Sequence, residues 1–214
     1  MNSQYVQFGC GFNVPSEWLN FDNSPSIKIQ KIPLFGSLLK NILRTSYPTN
    51  VLFGDIVKGL PIKDNSCLAV YSSHTLEHLS LIDFRIALKN SYKILKKDGI
   101  FRCVVPDLEY AAHCYINDLK SGDPLASIKF LGDATLLGHY HSTNKGIRDF
   151  IISFMGVSFK HLWMWDFYSL SEELKNAGFK NIRRAEFNDS NIPQFKLVED
   201  IERFKNSVAI ECSK

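Results

Sequence analysis

Tyr5-Val-Gln-Phe-Gly-Cys-Gly11 is followed closely by Trp18-Leu-Asn-Phe-Asp22. The first run, Tyr5 to Phe8, is a short β-strand candidate that ends directly in the glycine pair Gly9 and Gly11 around Cys10. The second alternates apolar and polar residues and ends on an acid. Glycine at a strand end permits a sharp turn and lets a ligand come close to the backbone. A carboxylate at the end of the next strand can accept both hydroxyls of a ribose. Val51-Leu-Phe-Gly-Asp55 repeats the pattern, and its acid can accept the amino group of an adenine. Glycines, then Asp22, then Asp55, in that order, point to an adenosine-type ligand.

Outward from this core the chain alternates short apolar runs with helical periodicity. Leu68-Ala-Val-Tyr71 predicts a fourth strand leading into Ser72-Ser73-His74, and Ile100 to Val105 a fifth, stopped by Pro106 and followed by Asp107. Helices are predicted over 33–44, 79–97, 107–119 and 169–177, and late strands over 179–187 and 207–212. This alternation predicts an α/β, Rossmann-like three-layer sandwich: an open, mostly parallel seven-stranded sheet with an antiparallel last strand and helices on both faces. The chain is expected to be one domain, 1–214. Residues 122–168 alternate poorly and are expected to form an insertion or lid on the acceptor side. In such sheets ligands bind beyond the carboxyl ends of the strands, so the residues after each strand are the candidates for chemistry.

Composition bounds the function. The 214 residues are 45% hydrophobic and 22% charged, which excludes a disordered chain. A net charge of +3 gives no polyanion-binding excess, so no nucleic-acid partner is expected. The N-terminus shows no secretory pattern, and no run is apolar enough for a membrane span. The five scattered cysteines lack a C-x-x-C pair, which fits a reducing cytoplasm.

The motifs in order are Gln7-Phe-Gly-Cys-Gly11, Trp18-Leu-Asn-Phe-Asp22, Gly54-Asp55-Ile56, Leu60-Pro61, Asp64-Asn65-Ser66, Tyr71-Ser-Ser-His-Thr-Leu-Glu-His78, Leu95-Lys-Lys-Asp-Gly99 and Val105-Pro-Asp-Leu108. Together they resemble the class I S-adenosylmethionine-dependent methyltransferases, and more narrowly a small bacterial, type-11-like branch. The resemblance spans about residues 5–108 and implies S-adenosyl-L-methionine as cofactor. It implies that Gly9, Cys10 and Gly11 line the methionine and ribose by backbone contact and that Asp22 binds the ribose hydroxyls. It places Asp55 at the adenine with Ile56 against its ring, and Ser73 and His74 at the methionine end and substrate mouth. Two departures stand out. Asn13 occupies the position of the usual third glycine, and the interval from Gly11 to Asp22 is too short for a full helix. That interval also counts against a nicotinamide cofactor, whose fingerprint needs about 20 residues before its acid.

Methyl transfer from a sulfonium needs alignment and, for a hydroxyl acceptor, proton removal. His74 and Asp107 are the candidate catalytic residues, since both follow strands at the expected mouth. No Asn/Asp-Pro-Pro-aromatic signature follows the fourth strand, which argues against exocyclic base amines as acceptors. His139, His141, His161, Trp163 and Trp165 are candidates for the acceptor side, a wall of aromatic and polar groups suited to a small-molecule or sugar acceptor. The histidines lack carboxylate partners in register, so no metal is expected. Two other functions stay open: a non-catalytic methyltransferase-like binding module, and another nucleotide-cofactor α/β enzyme.

Overall fold

The computed structural model describes residues 4–24, 27, 47–133 and 161–214. Its core is one seven-stranded sheet of order β3-β2-β1-β4-β5-β7-β6. The strands are β1 (Tyr5–Phe8), β2 (Leu19–Asp22), β3 (Val51–Phe53), β4 (Cys67–Ser73), β5 (Leu95–Pro106), β6 (Lys180–Arg184) and β7 (Ser207–Ser213). Strands β1 to β5 pair in parallel, and β7 runs antiparallel to both β5 and β6. The expected sheet, including its antiparallel last strand, is therefore present. The chain leaves β1 toward β2 and β3 on one side and returns to β4 on the other. The crevice between β1 and β4 is the switch point at which such sheets bind ligands.

Strand alternation sorts side chains onto two faces. Val6, Phe8, Val70, Phe101, Cys103, Val105, Val208 and Ile210 form one face. Helices α1 (Leu81–Ile94) and α4 (Phe167–Asn176) cover it, burying Phe84, Ala87, Leu88 and Ile94 from α1 and Leu170 and Leu174 from α4. Between them in sequence come α2 (Leu108–Lys120) and α3 (Ala126–Asp133), which pack on each other; α2 buries none of its residues. Ser80 caps α1 by accepting from Asp83 N, and Asp166 closes a capping box on α4 with Ser169.

On the second face the described residues supply a cover of loops. Ala69, Tyr71, Val104 and Ala209 are covered by Trp18, Phe195 and Val198, which belong to loops and a 3₁₀ turn, Pro193–Leu197. Residues 9–18 hold only turns, so no helix crosses here. Two long-range bonds bring the late segment over instead: Trp18 Nε1 donates to Gln194 O (3.1 Å) and Asn13 Nδ2 donates to Val198 O (3.1 Å). The residue standing where a third glycine was sought thus ties the glycine loop to its cover. Beneath this cover Arg102 is fully buried. Its Nε donates to Glu199 (2.5 Å), and its Nη1 meets Glu211 (3.1 Å) and Asp189 (2.8 Å).

Helix α1 also stops earlier than its periodicity predicts, at Ile94 rather than Lys97. The carbonyls of Lys93 and Ile94 accept from Asn65 N and Ser66 N, and buried Leu95 pairs with Cys67 as the first residue of β5. Outside donors take the place of another helical turn. The helix expected over 33–44 lies outside the described residues.

Candidate active site

The glycine loop and the ends of β1 and β4 meet at a cavity of about 620 Å³, lined by Gln7, Gly9, Cys10, Tyr71, Ser73, Glu199 and Arg203 among others. A volume in the range of small-ligand sites, about 300–1,000 Å³, sits at the switch point. The two glycines do different work. A Cβ on Gly9, at φ +65°, would lie 1.9 Å from Thr75 Oγ1, so Gly9 is there to let the β4 loop pack against β1. Gly11, at φ +56°, faces open space. Gly9 also lines the cavity, together with Cys10, whereas Gly11 lies outside that lining. Burial, then the charge of Asp22, pushes the Cys10 thiol up to about 12, so it is an inert packing group.

Asp22 is buried at the end of β2, 7% exposed. Its Oδ2 accepts from Gly11 N (3.0 Å) and its Oδ1 from Ser24 N (2.8 Å). The carboxylate therefore fixes the glycine loop, and each oxygen retains a lone pair for a further donor. Asp55 accepts from Val57 N (3.0 Å) and lies 3.6 Å from Lys58 Nζ. Ile56 packs into the main core at 6% exposure, which leaves little of its side chain for an adenine ring. Tyr71 OH and Ser73 Oγ are buried beside the cavity without a hydrogen-bond partner among the described residues. Gln7 spans the loop from beneath, donating to Asn13 O (2.7 Å) and Asn20 Oδ1 (2.6 Å).

His74 has φ +48°. Its Nε2 lies 2.8 Å from the Arg203 carbonyl, so in the neutral ring Nε2 carries the proton. Nδ1 faces Glu77 Oε1 at 3.5 Å. Burial lowers the imidazole below its usual value. Both nitrogens thus meet protein groups, an arrangement that holds the β4 loop onto residues 203–207. Burial pushes Glu77 up to about 8. Asp107 caps α2 through Oδ1, which accepts from Glu109 N (2.9 Å). It also lines a second cavity, about 320 Å³, with Tyr110, Tyr115, Asp118, Lys129 and Met164.

The two tryptophans separate. Trp163 is 42% exposed, whereas Trp165 is 2% exposed and stacked on Phe84 at 4.2 Å. The local reason is a parallel bridge between Asp107 and Trp165, which draws the latter into the core. Trp165 is consequently a packing residue and presents no face to an acceptor. His161 lies beside His78, ring centroids 5.0 Å apart. His139 and His141 lie outside the described residues. Gln7, Tyr71, Glu199 and Arg203 were not foreseen. Gln7 carried a weak signal, a polar residue inside an apolar strand. Glu199 and Arg203 carried none, because only folding brings them to the cavity.

Comparison with known proteins bears on the fold. Residues 6–103 match the family model described as a methyltransferase domain. No protein of curated function matches the chain by sequence. Among solved structures, an S-adenosylmethionine-dependent methyltransferase of Thermotoga maritima, a possible histamine N-methyltransferase, aligns with TM-score 0.53 and 18% identity, over 99% of this chain and 82% of that one. The CurJ carbon methyltransferase aligns with TM-score 0.50 and 9% identity, over 98% of this chain and 47% of that one. At these identities the likeness is one of fold. No helix among the described residues is long and apolar enough to cross a membrane. Residues 6–103, from β1 into β5, thus carry a methyltransferase domain, and the chain has the fold of the S-adenosylmethionine-dependent methyltransferases, with S-adenosylmethionine as its cofactor.

Proposed function

We propose that the chain transfers the methyl group to a small-molecule or carbohydrate-type acceptor, as a single domain with its acceptor side drawn from residues 122–168. The observation that carries the cofactor side is the 620 Å³ cavity with two orphaned buried hydroxyls, Tyr71 OH and Ser73 Oγ. Unpartnered buried hydroxyls are costly unless a ligand meets them, and the amino-acid end of the cofactor offers both donors and acceptors. Gly11 and Asp22 would hold the ribose, and Asp55 the adenine. Bound S-adenosylmethionine supplies a methyl group already activated by the sulfonium charge.

The second cavity supports the acceptor assignment. Tyr110 and Tyr115 give it aromatic walls, and Asp107, Asp118 and Lys129 give it polar groups. Rings that stack on sugar faces beside convergent hydrogen-bonding groups suit a small hydroxylated ligand. Asp107 Oδ2 takes no hydrogen bond among the described residues, so Asp107 would accept the acceptor's proton while Oδ1 stays fixed as the cap. His74 would serve as a positioning residue, since its Nε2 is held by the Arg203 carbonyl. His161 and Trp163 would border the entrance; Trp165 takes no part. The described part of 122–168 comprises residues 122–133, which include α3, and 161–168; residues 134–160 lie outside the described residues.

Calorimetric titration with S-adenosylhomocysteine, on wild type and Asp22→Asn, tests the cofactor side. We expect at least about tenfold weaker binding for the variant, the loss of one charged hydrogen bond. Unchanged affinity with a normal melting curve would remove Asp22 from the site. Transfer of labelled methyl to a panel of glycosides and small hydroxy compounds tests the acceptor. Labelling of RNA or protein alone would overturn the assignment.

A further inference from the structure

We infer that Glu77, His78 and His161 form a binding site for one divalent d-block cation, with zinc as the expected ion. The three residues come from two separate parts of the chain. Glu77 and His78 lie in the 3₁₀ turn Leu76–His78 that follows β4, and His161 precedes α4. Their donor atoms all lie within 4.8 Å of one another, with His78 Nε2 at 3.9 Å from Glu77 Oε1.

Two independent features make this a built site. First, the Glu77 side chain is 1% exposed, and neither carboxylate oxygen has a hydrogen-bond partner among the described residues. A buried carboxylate without donors is costly, and a cation bound in its place removes that cost. The adjoining histidines donate lone pairs to a cation when neutral, so the whole cluster has one coherent use. Second, the backbone holds the halves together: Leu162 N and Trp163 N both donate to Glu77 O, at 2.8 and 3.1 Å. This double anchor sets His161 against His78, with rings 5.0 Å apart and inclined by 71°. His74 Nδ1, 3.5 Å from Glu77 Oε1, flanks the carboxylate from the cavity side, while its other nitrogen is held by the Arg203 carbonyl.

Two imidazoles and one carboxylate form a mixed nitrogen and oxygen donor set. That set suits zinc and its d-block neighbours better than magnesium or calcium, which favour oxygen alone. Bonds of about 2.0–2.2 Å require the three donors to close inward by side-chain rotation. Three protein ligands leave a fourth tetrahedral position open, as in zinc sites that bind an exchangeable oxygen ligand.

The test uses the full chain, stripped with a chelator and dialysed. Zinc alone is titrated by calorimetry, and bound metal is counted by mass spectrometry. We expect one zinc per chain and a raised Tm. His161→Ala, at a half-buried position, should weaken zinc binding by at least about 100-fold, and Glu77→Gln similarly. Cobalt substitution should give the visible absorption of a four-coordinate nitrogen and oxygen site, lost in His161→Ala. Cys114→Ser should leave zinc binding unchanged. If Glu77→Gln fails to fold, His161→Ala and the cobalt spectrum decide. Zinc affinity unaltered in His161→Ala, loss of zinc in Cys114→Ser, or binding of magnesium but no zinc would each overturn the site. None of these readouts depends on methyl transfer, so failure of the acceptor assignment leaves the result intact.

Discussion

Replacing Gly9 by alanine separates steric from ligand-facing roles in the glycine loop. The alanine would sit at φ +65°, in the left-handed region that costs an L residue about 1–3 kcal/mol. Its Cβ would also meet Thr75 at 1.9 Å from Oγ1, 2.7 Å from Cγ2 and 2.8 Å from Cβ. Rotating the threonine cannot relieve the last of these contacts, so strands or loop must shift. Overpacking of this kind adds about 1–3 kcal/mol. Gly11→Ala pays only the conformational part, because nothing lies within 4 Å of its added Cβ. The total for Gly9→Ala is about 2–6 kcal/mol. At about 2–4 °C per kcal/mol for a chain of this size, its Tm should fall at least about 4 °C, and further than that of Gly11→Ala. Thermal unfolding followed by circular dichroism measures this for Gly9→Ala, Thr75→Gly, the double variant and Gly11→Ala. Thr75→Gly should recover the steric part, giving a coupling energy of about 1–3 kcal/mol. A coupling below about 0.5 kcal/mol, or Gly11→Ala as destabilised as Gly9→Ala, would refute the packing argument.

Four further outcomes follow from the same structure. Trp165→Ala should cost about 3–5 kcal/mol in urea unfolding, while exposed Trp163→Ala should stay within about 0.5 kcal/mol; equal costs would contradict their assigned burial. Arg102→Met strands the buried Glu199 carboxylate and should cost about 3–5 kcal/mol in the same assay. Asp189 is held down to about 2: burial opposes the shift, but bonds from Arg183 and Arg102 outweigh it. Its folded value lies below the unfolded one, so its stabilisation is present above about pH 4 and lost as pH falls through about 2. The urea midpoints of wild type and Asp189→Asn should therefore converge across that window, and a gap constant with pH would count against the ion pairs. Cys114 is exposed and the other four cysteines are buried, so a thiol reagent should label one residue rapidly, and Cys114→Ser should abolish that phase.

Much of the sheet was legible because its signals are local. Tyr5–Phe8 and Ser207–Cys212 carry apolar runs whose bounds hold to within a residue. The end of α1 was not legible, since its stop is made by Asn65 and Ser66 from another part of the chain. Nor was the fate of the two tryptophans. Their spacing in an extended segment suggested a common role, but one bridge to Asp107 buries Trp165 and leaves Trp163 outside.

The sequence by itself determined the class of fold, the order of the motifs and the adenosine-type ligand. Those depend on residues adjacent in the chain: a strand, its glycine turn, and an acid at the next strand's end. Tertiary structure alone decided which groups surround the site. It packed Gly9 against Thr75, brought Glu199 and Arg203 to the cavity, and laid His161 against Glu77 and His78. Burial and cross-chain hydrogen bonds act between residues remote in sequence, and no local pattern records them.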